Sequence, residues 1–182
     1  MRCPMPVVLV TSLVLLSVGC SEAGSDPAAP GTTATPSLDR AGTIPLSGVC
    51  RTTFQLTNLA FQAPPNGNEL ASADYEDTGA CQLSHLGSAT LHNSGSIDFT
   101  VLPAIGRGSF TLTGANGDRL EGTEEIDFLE PDAAGLFGFT GTRVVSGGTG
   151  RFAGAHGSLP VSGSGSNVTG ATDQSLSGRL SF

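Results

Sequence analysis

The sequence predicts an all-β domain in which antiparallel strands form a barrel or a sandwich, and two observations support this. From residue 44 onward apolar and polar residues alternate in short runs that end at turn-forming residues, the pattern of half-buried strands. The 182 residues include 26 glycines and few aromatics, a composition that favours strands and turns over helices. No stretch after residue 25 has the apolar spacing of an amphipathic helix.

Residues 1–20 predict a secretory signal. They contain one Arg, an apolar run from Val7 to Leu16 and then small residues up to Cys20; the run is short for a membrane span. The end of this segment, LLSVGC, resembles a bacterial lipobox, in which Cys20 would receive lipid. The alternative is an ordinary signal peptide cut nearby, and both place the mature protein outside the cytoplasm.

Residues 21–43 consist mainly of Pro, Ala, Gly, Ser and Thr, with almost nothing to bury, and predict a disordered tether. The folded domain is therefore expected to span residues 44–182. Ser21 follows Cys20 in place of the Asp that retains lipoproteins at the inner membrane, so an outer-membrane destination is favoured where the host has such a membrane.

The charge balance argues against two classes of partner. Sixteen acidic residues stand against eight basic ones, all of them Arg, for a formal net charge of −8. Such a chain is not expected to bind nucleic acid or an anionic membrane surface. Membrane contact is predicted only through a lipid at Cys20.

Of the four cysteines, Cys3 lies in the signal and Cys20 is the predicted anchor. Cys50 and Cys81 remain as an even pair in an oxidising compartment, which predicts a disulfide. A metal site is the weaker alternative, because the two lack the spacing of zinc ligands. The acidic residues between 121 and 132 lack the spacing of a calcium loop, so we expect no metal and no cofactor.

The glycine-rich segment GGTGRFAG, residues 147–154, invites comparison with phosphate-binding loops. It lacks the Lys that a Walker loop requires, and its glycines do not have GxGxxG spacing. The residues after it alternate like a strand, so no helix N-terminus is available to bind a phosphate. We therefore predict a tight corner between two strands, with Phe152 tucked under it.

The strand pattern assigns one common face to the large apolar residues of the second half of the chain. These are Ile97, Phe99, Val101, Phe110, Leu112, Leu120, Ile126, Phe128, Phe137, Phe139, Val145, Leu159, Val161, Leu176, Leu180 and Phe182. Matching faces between neighbouring runs favours a three-residue loop from Asn116 to Asp118, which sets Leu112 opposite Gly122.

The same reasoning sets Phe128 opposite Phe137. That register places Glu124 beside Gly141 and Gly122 beside Arg143, so that each large polar side chain faces a glycine.

A family resemblance adds to this prediction. The segments LSHLGSATLH, FTLTGANGDRLEGT and VVSGGTGRFAGAHGS resemble, in the same order, those of small bacterial secreted proteins with a GGTGRFAGA signature. The last segment is also similar to the equivalent corner of plant dirigent proteins and allene oxide cyclases. The resemblance covers roughly residues 80–182 and implies a single eight-stranded, calycin-like antiparallel barrel. It transfers no catalytic residue, because only the corner matches the plant proteins.

Three residues are candidates for a ligand site, because strand parity points Glu124, Arg143 and His85 toward the apolar face. An internal Glu124–Arg143 ion pair that fixes the register is one interpretation. A β-bulge at Glu124–Glu125 that exposes both side chains is the second, and a ligand-reading or acid–base site is the third.

The functional expectation is a non-catalytic binding or interaction module at the cell envelope, whose partner is a small apolar ligand or an envelope protein. The alternative is an enzyme of the cyclase or dirigent type that acts on an apolar substrate inside the barrel. An interior cavity open at one end and lined by the three candidates would favour a ligand or an enzyme; a filled interior would favour a structural or protein-binding role.

Overall fold

The structure, a computed structural model, describes residues 42–63 and 69–182 and consists of eight antiparallel strands that close into a barrel in chain order. The strands are β1 (Ile44–Phe61), β2 (Leu70–Leu83), β3 (Gly87–Asp98), β4 (Ala104–Gly114), β5 (Arg119–Phe128), β6 (Leu136–Thr149), β7 (His156–Ser166) and β8 (Ala171–Ser181). The predicted eight-stranded antiparallel barrel is confirmed, and β1 begins where the folded domain was expected to begin. The predicted signal and lipid site, and residues 21–41 of the predicted tether, lie outside the described residues.

The two ends of the barrel differ. Strand β1 starts and β8 finishes at one end, where the turns at 84–86, 115–118 and 150–155 also lie; we call this the closed end. Residues 62–63 and 69 and the connections at 99–103, 129–135 and 167–170 lie at the other, the open end. Within the described ranges, no helix is long and apolar enough to cross a membrane.

The half of the barrel next to the closed end is a packed apolar core. Most of its fully buried side chains are leucines. They lie inside the barrel because successive side chains of each strand alternate between its inner and outer faces. The fully buried side chains include Leu46, Leu91, Leu112, Leu120, Leu159, Leu180, Val145 and Ala155. Phe152 and Phe182 pack 6.4 Å apart between ring centres at this end.

Cys50 and Cys81 are direct partners across β1 and β2 and form a disulfide, as predicted. Both side chains are buried in the core. The bridge closes a loop between residues 31 apart in sequence, and on the chain-entropy model a loop of that length stabilises the fold by about 3–4 kcal/mol.

Two predicted registers are displaced by two residues, although the faces are right. The loop between β4 and β5 is Ala115–Asp118, and Leu112 lies opposite Leu120 rather than Gly122. Phe128 lies opposite Phe139 rather than Phe137. A slip of two residues keeps every side chain on its own face, so alternation alone cannot distinguish these registers.

The glycine-rich corner covers the closed end of the barrel. Gly150 has a positive φ of 62°, and a side chain there would collide with the carboxylate of Asp118. Arg151 donates from Nε to Asp118 Oδ2 at 2.6 Å, and its guanidinium lies 5.7 Å from the centre of the Phe152 ring. Phe152 is buried beneath the corner, so the predicted tight corner is confirmed.

Asp118 joins two distant segments at the closed end, the β4–β5 turn and the β6–β7 corner. Besides Arg151, the side chain of Asn116 donates to Oδ2 at 2.7 Å. The hydrogen bond from Arg151, followed by that from Asn116, lowers the pKa of Asp118 below its ordinary value. The carboxylate is therefore favoured in the folded state, and it stabilises the fold wherever it is ionised.

We predict that Asp118→Asn lowers the urea midpoint at pH 7, because the variant loses the charged acceptor of Arg151. A folded-state pKa below the unfolded value means that this stabilisation is complete above the unfolded pKa. It is lost as the pH falls from about 4 through the folded pKa. The difference in midpoint between wild type and variant should therefore close in acid.

Asp173→Asn is the matched control, because Asp173 also pairs with an arginine, Arg51, but both side chains are largely exposed. An exposed pair contributes little. Equal midpoints for Asp118→Asn and wild type at pH 7 would contradict the role of Asp118.

Candidate functional site

A buried ion pair lies at mid-height in the barrel. Glu124 on β5 and Arg143 on β6 are direct cross-strand partners, and Arg143 donates from Nε to Glu124 Oε2 at 2.8 Å. Both side chains are 2% exposed. The interpretation as an internal ion pair is therefore confirmed. The bulge in β6 lies beside Glu121 and Gly122 rather than at Glu124–Glu125, and it exposes neither partner.

Two glycines beside this pair leave room for a third side chain, that of Tyr75, to reach it. Across four neighbouring strands, Tyr75 on β2 faces Gly95, Gly95 faces Gly108, and Gly108 faces Glu124. The Tyr75 side chain crosses the two glycines, and its hydroxyl donates to Glu124 Oε1 at 2.7 Å. A Cβ on Gly108 would lie 2.5 Å from the Tyr75 Oη, so glycine is required there by close approach.

Tyr75 is a hydrogen-bond donor and not an acid at ordinary pH. Burial is the main cause that raises the pKa of its hydroxyl far above the usual value, and the negative charge of Glu124 adds to it. The phenol therefore keeps its proton and satisfies one carboxylate oxygen while Arg143 satisfies the other.

The pair continues into a polar layer that spans the barrel. Arg143 donates from Nη2 to Gln174 Oε1 at 2.8 Å, and Gln174 donates from Nε2 to Asp77 Oδ2 at 3.0 Å and to Thr52 Oγ1 at 3.2 Å. Asn93 donates to Asp77 Oδ2 at 3.3 Å. We call this set, together with Tyr75 and Glu124, the polar layer.

The polar layer is almost completely filled. The space within it is about 20 Å³, enough for about one water molecule. Three buried atoms have no partner among the described residues: Asp77 Oδ1, Asn93 Oδ1 and Arg143 Nη1. Two of them are acceptors and one is a donor, and all three residues line this space. A small substrate does not fit in this space.

An aromatic layer separates the polar layer from the open end. Its rings belong to Phe54, Tyr75, Phe128, Phe137 and Phe139, whose neighbouring centres lie 5.8–6.3 Å apart. Phe137 and Phe139 lie against glycines on β7, where a Cβ would come within 2.5 Å of each ring. Such separations are typical of stabilising aromatic contacts.

A cavity of about 360 Å³ lies above this layer at the open end of the barrel. Its lining is apolar except for two side chains, Glu130 and Asn167. The lining residues are Phe54, Leu56, Leu70, Ile97, Phe99, Leu102, Ala104, Phe128, Leu129, Glu130, Pro131, Phe137 and Asn167. We call this space the mouth cavity. Phe54 and Phe128 line both it and the space in the polar layer.

The prediction that the His85 side chain points toward the apolar face is wrong. His85 lies in the turn between β2 and β3 at the closed end, is exposed, and has a positive φ of 61°. Strand β2 ends at Leu83, so parity with Cys81 no longer applies two residues later. His85 is far along the barrel from the mouth cavity and takes no part in the polar layer.

Sequence reasoning found two members of the polar layer and missed the others. Tyr75 and Asp77 have the parity of Cys81, and Gln174 that of Leu176, so extending the alternation into β2 and β8 would have placed them inside. No comparable sequence pattern predicts the mouth cavity, because its lining combines strand ends with loops, and loop residues do not alternate.

Comparison with known proteins gives no assignment: no protein-family model matches the chain, and no characterised protein shows significant sequence similarity to it. Among residues 42–63 and 69–182, no group of three or more His, Cys, Asp or Glu side chains is placed to hold a metal ion.

We predict that Glu124→Ala and Arg143→Ala each lower the free energy of unfolding by about 3–5 kcal/mol, because each leaves a buried charge without its partner. The double change Glu124→Leu with Arg143→Met should cost much less than the sum of the single changes. Urea denaturation followed by circular dichroism measures all three. Additive losses would show that the two side chains are not coupled.

Proposed function

We propose that this protein is an extracytoplasmic, lipid-anchored binding module that takes a small apolar molecule into the mouth cavity. The observation that carries the proposal is the cavity itself. Its 360 Å³ fall within the range of small-molecule sites, which are mainly apolar and aromatic with a few polar groups.

Exposed apolar side chains around the cavity support this function. Eight of the large hydrophobic residues that remain exposed lie in the open-end loops or in the parts of the strands next to them, and the other two, Val49 and Val144, lie on strand walls. The eight are Leu56, Leu59, Phe61, Val101, Leu102, Leu129, Leu136 and Val168. A concentration of exposed apolar surface at one end of a soluble domain marks an interaction site.

The arrangement favours binding over catalysis. Glu124 and Arg143, the charged residues expected to act in an enzyme, lie behind the aromatic layer and are bound to each other and to Tyr75. Among the described residues that line the mouth cavity, Glu130 is the single one with an ionisable side chain. One exposed carboxylate without a second group supplies no acid–base pair.

The location outside the cytoplasm is proposed from two features. The disulfide between Cys50 and Cys81 suits an oxidising compartment, and residues 1–20 have the composition of a signal that ends in a lipid-accepting cysteine.

Binding can be measured with N-phenyl-1-naphthylamine, a neutral probe whose fluorescence increases in apolar surroundings. The unlipidated full chain, Cys20→Ala, is the common background. Leu56→Gln should weaken binding roughly ten-fold, because Leu56 lines the cavity and loses its apolar contact with the probe.

Val144→Gln is the matched control, since Val144 is also an exposed aliphatic strand residue and does not line the mouth cavity. It should bind as tightly as the background protein. Equal binding by both variants, or no binding by any of them, would refute a site in the mouth cavity.

The anchor is tested separately by cell fractionation. We predict that the wild-type protein sediments with membranes and that Cys20→Ala becomes soluble or keeps its signal, because the lipid acceptor is gone. Cys3→Ala, which makes the same change inside the signal, should leave the distribution unchanged. A soluble wild-type protein would exclude the anchor.

A further inference from the structure

Carboxylates dominate the charge of the open end. The described open-end segments, residues 56–63, 69–74, 97–106, 126–137 and 164–172, contain six carboxylates and no basic side chain, and Arg107 directly follows the third segment in the same cross-strand row as Asp74. The carboxylates are Glu69, Asp74, Asp98, Asp127, Glu130 and Asp132. A mouth with this charge and low-dielectric walls has a negative potential that attracts cations and repels anions.

Among the described arginines, Arg107 lies near this charge without an ion pair to it: the two hydrogen bonds from Thr100 are the main causes that lower the pKa of Asp98, and the charge of Arg107 adds to them. In the described part of the chain, the ion pairs of arginine use Asp118, Glu121, Glu124, Glu125 and Asp173, and none of these is an open-end carboxylate. Several open-end carboxylates are instead held by uncharged donors. Thr100 donates to Asp98 through its backbone N and its hydroxyl, and the backbone of Ala134 and Leu136 donates to Asp132. These contacts fix carboxylates in place without cancelling their charge.

The interior of the mouth cavity suits the same kind of ligand. Four of its lining residues are phenylalanines, namely Phe54, Phe99, Phe128 and Phe137, and aromatic ring faces attract cations. Glu130 is the one charged side chain in the lining, and it is exposed. An apolar body can therefore occupy the phenylalanine-lined space while a cationic group lies at Glu130.

From this combination we infer that the ligand of the mouth cavity is an apolar cation, an aromatic or aliphatic body that carries an amine. The inference rests on the proposed function, since it requires a small molecule in the mouth cavity. It excludes fatty acids and other apolar anions, whose carboxylate would be placed among like charges in a site with no basic partner.

The inference is tested with three ligands that share a naphthalene body: 1-naphthylmethylammonium, 1-naphthylmethanol and 1-naphthoate. Each competes with N-phenyl-1-naphthylamine for the Cys20→Ala chain at pH 7 in low salt. We expect the ammonium compound to bind about five-fold more tightly than the alcohol, the ratio that one close ion pair in water supplies. The carboxylate should bind most weakly, and added salt should reduce both differences.

Glu130→Gln and Glu121→Gln form a matched pair of variants. Both remove one exposed carboxylate, but Glu121 lies on β5 toward the closed end and Glu130 follows the open end of the same strand. Glu130→Gln should lower the preference for the ammonium compound over the alcohol, and Glu121→Gln should leave it unchanged.

The outcomes separate the inference from the function it rests on. Binding of the alcohol with no preference for the ammonium compound would overturn the inference and leave the proposed function standing. Equal effects of the two glutamate variants would also overturn it, because the preference would then reflect net charge. Failure of all three ligands and of the probe to bind would refute the proposed function itself.

Discussion

The ion pair between Glu124 and Arg143 fixes what the hydrophobic pattern leaves undetermined. Alternation specifies which face of each strand is inside, but it permits slips of two residues. A slip of that size between β5 and β6 would separate two buried charges, and an unpaired buried charge is far more costly than a misplaced apolar contact. The register between β5 and β6 therefore depends on this contact. Gly95 and Gly108 lie between Tyr75 and Glu124 in the cross-strand row, and they leave space for the Tyr75 side chain to reach the ion pair.

The polar layer also divides the barrel into two parts with different properties. Toward the closed end the interior is filled by leucines and sealed by Phe152. Toward the open end the aromatic layer forms the floor of a cavity. The hydrogen-bonding groups of the polar layer are satisfied almost entirely by one another. The layer therefore supports that floor without offering reactive groups to a ligand. Binding at one end is thus compatible with a rigid core at the other.

The sequence was sufficient to predict the antiparallel all-β fold, the inner faces of the strands from Phe110 onward, the disulfide and the inward position of Glu124 and Arg143, because each leaves a periodic or pairwise signal. It was insufficient where the chain leaves the strand. Val101, assigned to the same inner face, lies exposed in the loop after β3. His85 was placed inside by a parity that ends at Leu83, and the cavity is built from strand ends and loops that have no period. The positions of Phe128 and Phe139 show the third limit: two registers that differ by two residues have identical patterns, and only three-dimensional packing selects one.

The position of Asp118 has a consequence for how such a barrel can diversify. The contacts that cover one end of the barrel are those of Asp118 with Arg151 and of Phe152 with Phe182. The described loops of the other end, residues 99–103, 129–135 and 167–170, take no part in them. Those loops can therefore be lengthened, shortened or exchanged while the determinants of folding stay in place, much as antibody loops vary on a constant framework. A single scaffold of this kind can acquire new specificities by loop replacement alone.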